Sequence, residues 1–172
     1  SSSYYSVPAS TEAPYAAGIL TEDTHKAMTA MTNFYRWLVG VPGLETVSVH
    51  SGSLQAQALD RNFEFDHVIH NSSKPEDMDQ ELWDQGFLCT HNILARGYTP
   101  QSAITGWMNE GYSTYTQSWD TIGHRYALIE GNISDVQFGY SGSIAIGVMA
   151  GYENTMEIPF AAFPAPGYMP DN

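Results

Sequence analysis

The chain has 172 residues, a length that predicts one domain rather than several. Six basic and nineteen acidic residues give a formal net charge of −13, which disfavours nucleic acid and anionic lipid as partners. Hydrophobic residues make up 42% of the chain, enough for a folded core, but no apolar run approaches the roughly 20 residues of a membrane-spanning helix. Cys89 is the only cysteine, which excludes an internal disulfide and a cysteine-based zinc site.

The first elements follow from capping residues and apolar spacing. Residues 1–20 mix Ser, Tyr, Pro and Ala without a period, so we expect an irregular arm before a domain that spans 21–151. Thr21 is a good N-cap, and the apolar residues that follow it recur at helical spacing. A first helix is therefore predicted over about 23–39.

The middle of the chain also has a helical pattern. A second helical period predicts a helix that finishes near His70, followed by a solvated loop over 71–79. The region 80–96 fits either one helix or two short ones. Thr99 and Pro100 form an N-cap and a first helical position, which predicts a helix over about 100–111.

The pattern changes after Gly123. Three short runs, 126–129, 136–140 and 143–149, are rich in β-branched and aromatic residues and predict an antiparallel meander. Helices first and strands late indicate an α+β fold. The Pro-rich and aromatic segment 152–172 is predicted to be an extension packed on the domain.

Histidine is the most informative residue type, because imidazole binds metals and titrates near neutral pH. His25 and His50 have polar neighbours and are expected to be exposed or capping. His67 and His70 are three residues apart at the end of the predicted second helix. There they could bind one metal, although on their own they fit better as favourable charges at a helix C-terminus.

Two further candidates lie later in the chain. Trp107 and Glu110 share a face of the predicted fourth helical segment, which indicates a cleft wall. His124 lies immediately before the first predicted strand, where its side chain could enter a pocket at the sheet edge. The familiar nucleophile-elbow, phosphate-loop and metalloprotease motifs are absent from the sequence.

The order of these pieces resembles one known superfamily. His70 precedes a Pro-containing loop, and His91-Asn92-Ile93, Trp107-x-x-Glu110 and Gly123-His124-Arg125 follow in that order. This pattern resembles the CAP superfamily of cysteine-rich secretory, antigen-five and pathogenesis-related proteins, also called SCP-like, and within it a secreted bacterial member of the Firmicute type. The resemblance implies a three-layer α-β-α sandwich around a mostly antiparallel sheet, and an extracellular location.

The resemblance also implies a central cavity. Carried over by motif, its lining is His70, His91, Glu110 and His124, with His91 in the place where the family has a glutamate. Three imidazoles and a carboxylate suit Zn²⁺ or another divalent metal, held by His70 and His124 with His91 as a third ligand. The alternative is a polar pocket that holds no metal, and both remain open.

Three functions fit these features. The first is a secreted, monomeric binding module for a small apolar ligand, a peptide or a surface partner, without enzymatic activity. The second is a peptidase-like hydrolase in which His124 or His70 acts as general base and Glu110 or a metal orients water. The third is a structural or adhesive extracellular domain in which the polar residues only stabilise the fold.

Overall fold

A computed structural model of the chain describes residues 4–46, 51–87, 92–110 and 122–152. Within these ranges the α-helices are α1 Glu22–Leu38, α2 Ser51–Asp60, α3 Gln80–Gly86, α4 Pro100–Met108 and α5 Gly123–Ile129, and a short 3-10 helix spans Asn71–Ser73. The strands are β1 Tyr5–Val7, β2 Ile19–Leu20, β3 Glu45–Thr46, β4 Ile93–Arg96, β5 Ile133–Ser141 and β6 Ile144–Tyr152.

Four of these strands form one sheet in the order β3-β5-β6-β4. β5 and β6 form a long antiparallel hairpin, β4 adds antiparallel to β6, and β3 adds parallel to β5. Gly142 occupies the hairpin turn with a φ of +61°, a conformation that favours glycine. The predicted antiparallel pairing of the last two strands is therefore confirmed.

Helices cover both faces of this sheet. α1, α4 and α5 lie on one face, where the main hydrophobic core forms around Phe138 and Trp107. α2 lies on the opposite face, and α3 packs against it. The α+β class and the three-layer α-β-α sandwich with a mostly antiparallel sheet are confirmed.

Capping residues start α1 and α4 where the sequence predicts. The Thr21 side chain accepts a backbone N–H of the first turn at 3.1 Å. Thr99 and Ser102 form a capping box, and Pro100 occupies the first turn. Both predicted helices are confirmed, although α4 ends at Met108 and is three residues shorter than expected.

Helix α2 is shorter than predicted, because it ends at Asp60 rather than near His70. The side-chain amide of Asn62 donates to two carbonyls of the last turn at 2.9 and 3.2 Å. Those carbonyls are therefore satisfied without another turn of helix. His67 and His70 lie in the following loop, so the prediction that they share a helix face is wrong.

Two other segments differ from the predicted secondary structure. The region 80–96 contains one helix and then strand β4, which pairs with β6, rather than one or two helices.

Residues 126–129 lie in α5 rather than in a strand. The backbone N–H groups of His124 and Arg125 bond to Glu110, and this long-range contact fixes the helix start. Short apolar runs have no decisive period, so tertiary contacts decide between helix and strand.

The N-terminal arm is not irregular throughout, because β1 and β2 pair antiparallel. Tyr5 donates its hydroxyl to the carbonyl of Tyr140 at 3.1 Å and thereby joins the arm to β5. This correction depends on a contact 135 residues away along the chain, which local spacing could not indicate. Of the predicted C-terminal extension, 153–172 lies outside the described residues.

The contact between α2 and the sheet is unusually close at Gly139. This glycine of β5 faces α2, and a Cβ atom there would overlap the carbonyl of Leu54. The Gln55 amide of the same helix exchanges hydrogen bonds with Tyr140, accepting from its N–H at 2.6 Å and donating to its carbonyl at 3.0 Å. Backbone proximity and one amide thus fix the position of α2.

A buried carboxyl group lies between α2 and α3. Asp60 is fully buried, and neither of its carboxyl oxygens has a hydrogen-bond partner. Its side chain packs against Gly86, where a Cβ would overlap one carboxyl oxygen. Burial raises the pKa of Asp60 to about 8, with Arg61 opposing and Asp84 reinforcing the rise.

The free energy of unfolding should therefore carry a pH-dependent contribution from Asp60. The folded-state pKa lies above the unfolded value, so the folded state binds more protons between about pH 4 and 8, and stability falls as pH rises through that window. The Asp60→Asn variant lacks this contribution. Urea denaturation at pH 4, 6 and 8 gives the free energy of unfolding of both proteins. The value for the variant minus that for the wild type should rise by about 1 kcal/mol per pH unit.

The difference between the two proteins isolates Asp60. The other groups with shifted pKa values, such as His25, are common to both proteins and cancel in the comparison. A difference that stays constant from pH 4 to 8 would contradict this assignment.

Candidate functional site

The acid of the Trp-x-x-Glu motif and the histidine of the Gly-His-Arg motif meet in the structure. Glu110 Oε1 lies 2.9 Å from His124 Nδ1. Glu110 Oε2 accepts the backbone N–H of His124 at 2.6 Å and that of Arg125 at 3.0 Å. The carboxylate therefore satisfies N–H groups in the first turn of α5 that have no partner within the helix.

Arg125 makes the reverse contact to the end of α4. Its Nε donates to the carbonyl of Met108 at 2.8 Å, and its Nη2 donates to the carbonyl of Glu110. These carbonyls are acceptors that the helix end leaves open. These contacts join the end of α4 to the start of α5. We call the three residues that make them the α4–α5 clasp: Glu110, His124 and Arg125.

Trp107 belongs to the core rather than to a cleft wall. Its side chain is 2% exposed, and its indole N–H donates to the carbonyl of Leu94 at 2.9 Å. The ring stacks on Phe138 at a centroid distance of 6.5 Å. The expectation that Trp107 and Glu110 together form a cleft wall is therefore wrong, because the two side chains point to different surroundings.

His70 pairs with an acid that the sequence analysis did not select. Its Nδ1 lies 2.7 Å from Glu64 Oε1, and its backbone N–H donates to Glu64 Oε2 at 2.6 Å. The hydrogen bond from the ring, with that from the backbone, lowers the pKa of Glu64 to about 2. The hydrogen bond to Glu64 and its negative charge raise the pKa of His70. The pair therefore joins two points of the loop that follows α2.

The same loop also contacts β4. His67 Nδ1 lies 2.9 Å from Asn92 Oδ1, and the His67 carbonyl accepts from Arg61 at 2.9 Å. Further along, the guanidinium of Arg96 lies 4.3 Å from the centre of the Phe65 ring, a cation–π distance. His67, rather than His70, therefore contacts the His91-Asn92-Ile93 motif through its asparagine.

The remaining histidines fall into two groups. His25 is 5% exposed in α1, so the expectation of an exposed residue is wrong, and its burial lowers its pKa. His50 and His91 lie outside the described residues.

The three described members of the predicted cavity, His70, Glu110 and His124, take part in two separate pairs. The structure pairs His70 with Glu64 and His124 with Glu110. Among the described residues, no three His, Cys, Asp or Glu side chains are grouped closely enough to hold one metal ion. The described side chains alone therefore do not provide a three-ligand metal site. A metal held by His70, His124 and His91 remains a prediction.

A pocket lies between α5 and the sheet. Its volume is about 250 Å³, the liquid volume of about eight water molecules. α5 provides one wall and the neighbouring strands β4 and β6 the other. The lining residues are Asn92, Ile93, Tyr126, Ala127, Glu130, Gly147 and Met149.

Gly147 is closely packed in the strand wall of the pocket. It pairs with Ile93 across β4 and β6, and both face the main core side of the sheet. A Cβ at Gly147 would lie 3.2 Å from the Ile93 side chain and 3.3 Å from Phe138. The absence of a side chain therefore lets Ile93 and Phe138 approach this point of the strand closely.

Most of this pocket could not be predicted from the sequence once 126–129 was assigned to a strand. In a helix, Tyr126 and Glu130 are four residues apart and share one face. In a strand, these two residues would lie about 13 Å apart, and Tyr126 and Ala127 would point to opposite faces. No local signal separates the two assignments, because a run this short has no decisive period.

Comparisons with known proteins give a likeness in structure but none in sequence. No family model matches the sequence, and no curated protein matches it. Among solved structures, the chain is similar to an extracellular protein containing an SCP domain from Bacillus anthracis, with a TM-score of 0.47 and 18% sequence identity. The match covers 82% of this chain and 47% of the other, so the chain spans about half the length of that structure.

None of the helices in the described ranges combines the length and apolar character needed to cross a bilayer.

The α4–α5 clasp should be measurable through the amides it satisfies. In a Glu110→Ala variant the N–H groups of His124 and Arg125 lose their acceptor, which should cost about 1–3 kcal/mol. Hydrogen exchange followed by NMR should show these two amides exchanging faster, by about tenfold for each 1.4 kcal/mol lost. Amides in the β5–β6 hairpin should change less.

A Glu76→Gln variant is the control, because Glu76 is an exposed acid in the loop before α3. It should leave exchange at both amides unchanged. Equal exchange in the wild type and Glu110→Ala would show that the carboxylate does not anchor α5.

Proposed function

We propose that the chain is an extracellular domain of the CAP or SCP-like type that acts as a binding module, with its ligand in the pocket between α5 and the sheet. The observation that carries this proposal is the pocket itself, which has one wall on a helix anchored by the α4–α5 clasp. The order of the CAP-like motifs and the three-layer architecture support the family assignment. The domain boundaries at 21 and 151 belong to the same proposal.

The contacts of Glu110 favour binding over catalysis. One of its carboxylate oxygens accepts two backbone N–H groups and the other contacts the ring of His124. A general base needs a free oxygen within hydrogen-bond distance of the substrate proton. Because both oxygens already have partners, Glu110 acts best as the structural anchor of α5.

The pocket suits a small ligand with one polar group. Ile93, Ala127 and Met149 supply apolar surface, whereas Asn92 and Glu130 supply polar groups that can orient a ligand. Its volume lies just below the usual 300–1,000 Å³ of ligand pockets, so a compact molecule fits better than a peptide.

The test uses three matched probes, benzylammonium, benzyl alcohol and benzoate, with NMR of methyl-labelled methionine. At least one probe should shift the methyl signal of Met149 in a saturable way. Met78 is the internal reference, because it is buried in a cluster beside α2 and α3. An Ala127→Leu variant should weaken the effect by filling the pocket.

Ala30→Leu is the matched control, since it makes the same change at an exposed position of α1. It should leave probe binding unchanged. If none of the three probes shifts Met149 at millimolar concentration, the proposed binding function is wrong.

A hydrolase is the second candidate, favoured by the contact of 2.9 Å between Glu110 and His124. A carboxylate that orients an imidazole is a common arrangement in acid–base catalysis. His124 is also about one-third exposed, with a side-chain accessibility of 32%. The predicted metal site at His70 and His124 would supply activated water to this alternative.

The two candidates differ in turnover. The binding module should cleave neither labelled casein nor p-nitrophenyl acetate above the blank, with or without added Zn²⁺. Turnover that disappears in His124→Ala but survives in His67→Ala would establish the hydrolase instead. A zinc-dependent activity that also disappears in His70→Ala would establish the predicted metal site.

A further inference from the structure

The described residues that line the pocket carry one formal charge, and that charge is negative. Glu130 is the acid among these seven residues, and none of the seven is Lys, Arg or His. Its carboxylate Oε1 accepts a hydrogen bond from the Tyr126 hydroxyl at 3.3 Å, so the two side chains lie together on one wall. A ligand that enters the pocket therefore meets a carboxylate and an aromatic ring at the same place.

Arg36 bonds to the backbone of Glu130 and not to its carboxylate. Arg36 is fully buried and donates to backbone carbonyls, including those of Leu128 at 3.0 Å and Glu130 at 2.7 Å. Among the described residues, no ammonium, guanidinium or imidazole nitrogen lies within 4 Å of the Glu130 carboxylate. Arg36 therefore fixes the backbone at the end of α5 without pairing with the Glu130 side chain. Burial lowers the pKa of Arg36 and the negative charge of Glu130 opposes that fall, so the two charges attract without contact.

Two other features favour a positive ligand. Tyr126 is 57% exposed, and an aromatic face attracts cations within about 6 Å. The chain as a whole carries a formal charge of −13, which raises the local concentration of small cations and disfavours anions. Local and global charge thus act in the same direction.

We infer that the pocket selects small organic cations, and this inference rests on the proposed binding function. Such a ligand has an apolar body and an ammonium group that pairs with Glu130. The apolar part contacts Ile93, Ala127 and Met149, and the ammonium group lies between the Glu130 carboxylate and the Tyr126 ring. The volume of about 250 Å³ limits the ligand to a small amine rather than a polyamine chain or a basic peptide.

The test compares the three probes, which share a benzyl or phenyl body and differ in charge. Benzylammonium should bind about fivefold tighter than benzyl alcohol, because that ratio corresponds to the free energy of one exposed ion pair. Benzoate should bind more weakly than both. The ammonium preference should shrink when the ionic strength is raised from 0.05 to 0.5 M, because salt screens exposed charges.

Glu130→Gln is the decisive variant. It removes the charge but keeps the backbone carbonyl that accepts from Arg36, so the end of α5 should remain in place. Benzylammonium should lose about fivefold in affinity, whereas benzyl alcohol should bind as before. Glu76→Gln, which removes the same charge from an exposed loop, should leave the preference intact.

The possible failures are distinct. Equal binding of the ammonium and alcohol probes, or an ammonium preference that persists in Glu130→Gln, would overturn the selectivity inference while the binding function stands. The absence of binding by all three probes would overturn the proposed function, and the inference with it.

Discussion

The placement of α5 depends on one carboxylate. Glu110 accepts the first N–H groups of this helix, and Arg125 returns two hydrogen bonds to carbonyls at the end of α4. Seven residues are too few for a helix to be stable in water on its own. The exchange of donors and acceptors therefore supplies what local propensity does not, and it holds Tyr126 and Glu130 against the sheet, so the pocket depends on it.

The sequence allowed those parts of the fold to be predicted whose signals are local. Thr21 and Thr99 mark helix starts because capping is a contact within one turn, and the β5–β6 hairpin follows from β-branched runs separated by Gly142. The end of α2 was placed too late, because the apolar pattern continues although Asn62 satisfies the last carbonyls. The state of 126–129 depends on Glu110, which is too distant in sequence to affect a short window.

The site was predicted less well for a similar reason. Motif order selected Glu110 and His124, which do meet, but it could not assign partners to the loop histidines. His70 pairs with Glu64 within the loop, and His67 contacts Asn92. Such pairings depend on how a loop turns back after a helix ends, and spacing along the chain does not encode that path. The pocket was missed because residues 126–129, which provide one wall, were assigned to a strand rather than to a helix.

The close contact between α2 and β5 bears on how related sequences should be interpreted. Gly139 lies in the middle of a strand, where an unchanging glycine in an alignment would ordinarily suggest a bulge or a hinge. Here the position is rigid, because the helix backbone occupies the volume that any side chain would need. Retention of glycine at this position in divergent homologues would therefore report the spacing between two layers, and its replacement would indicate that α2 has moved away from the sheet.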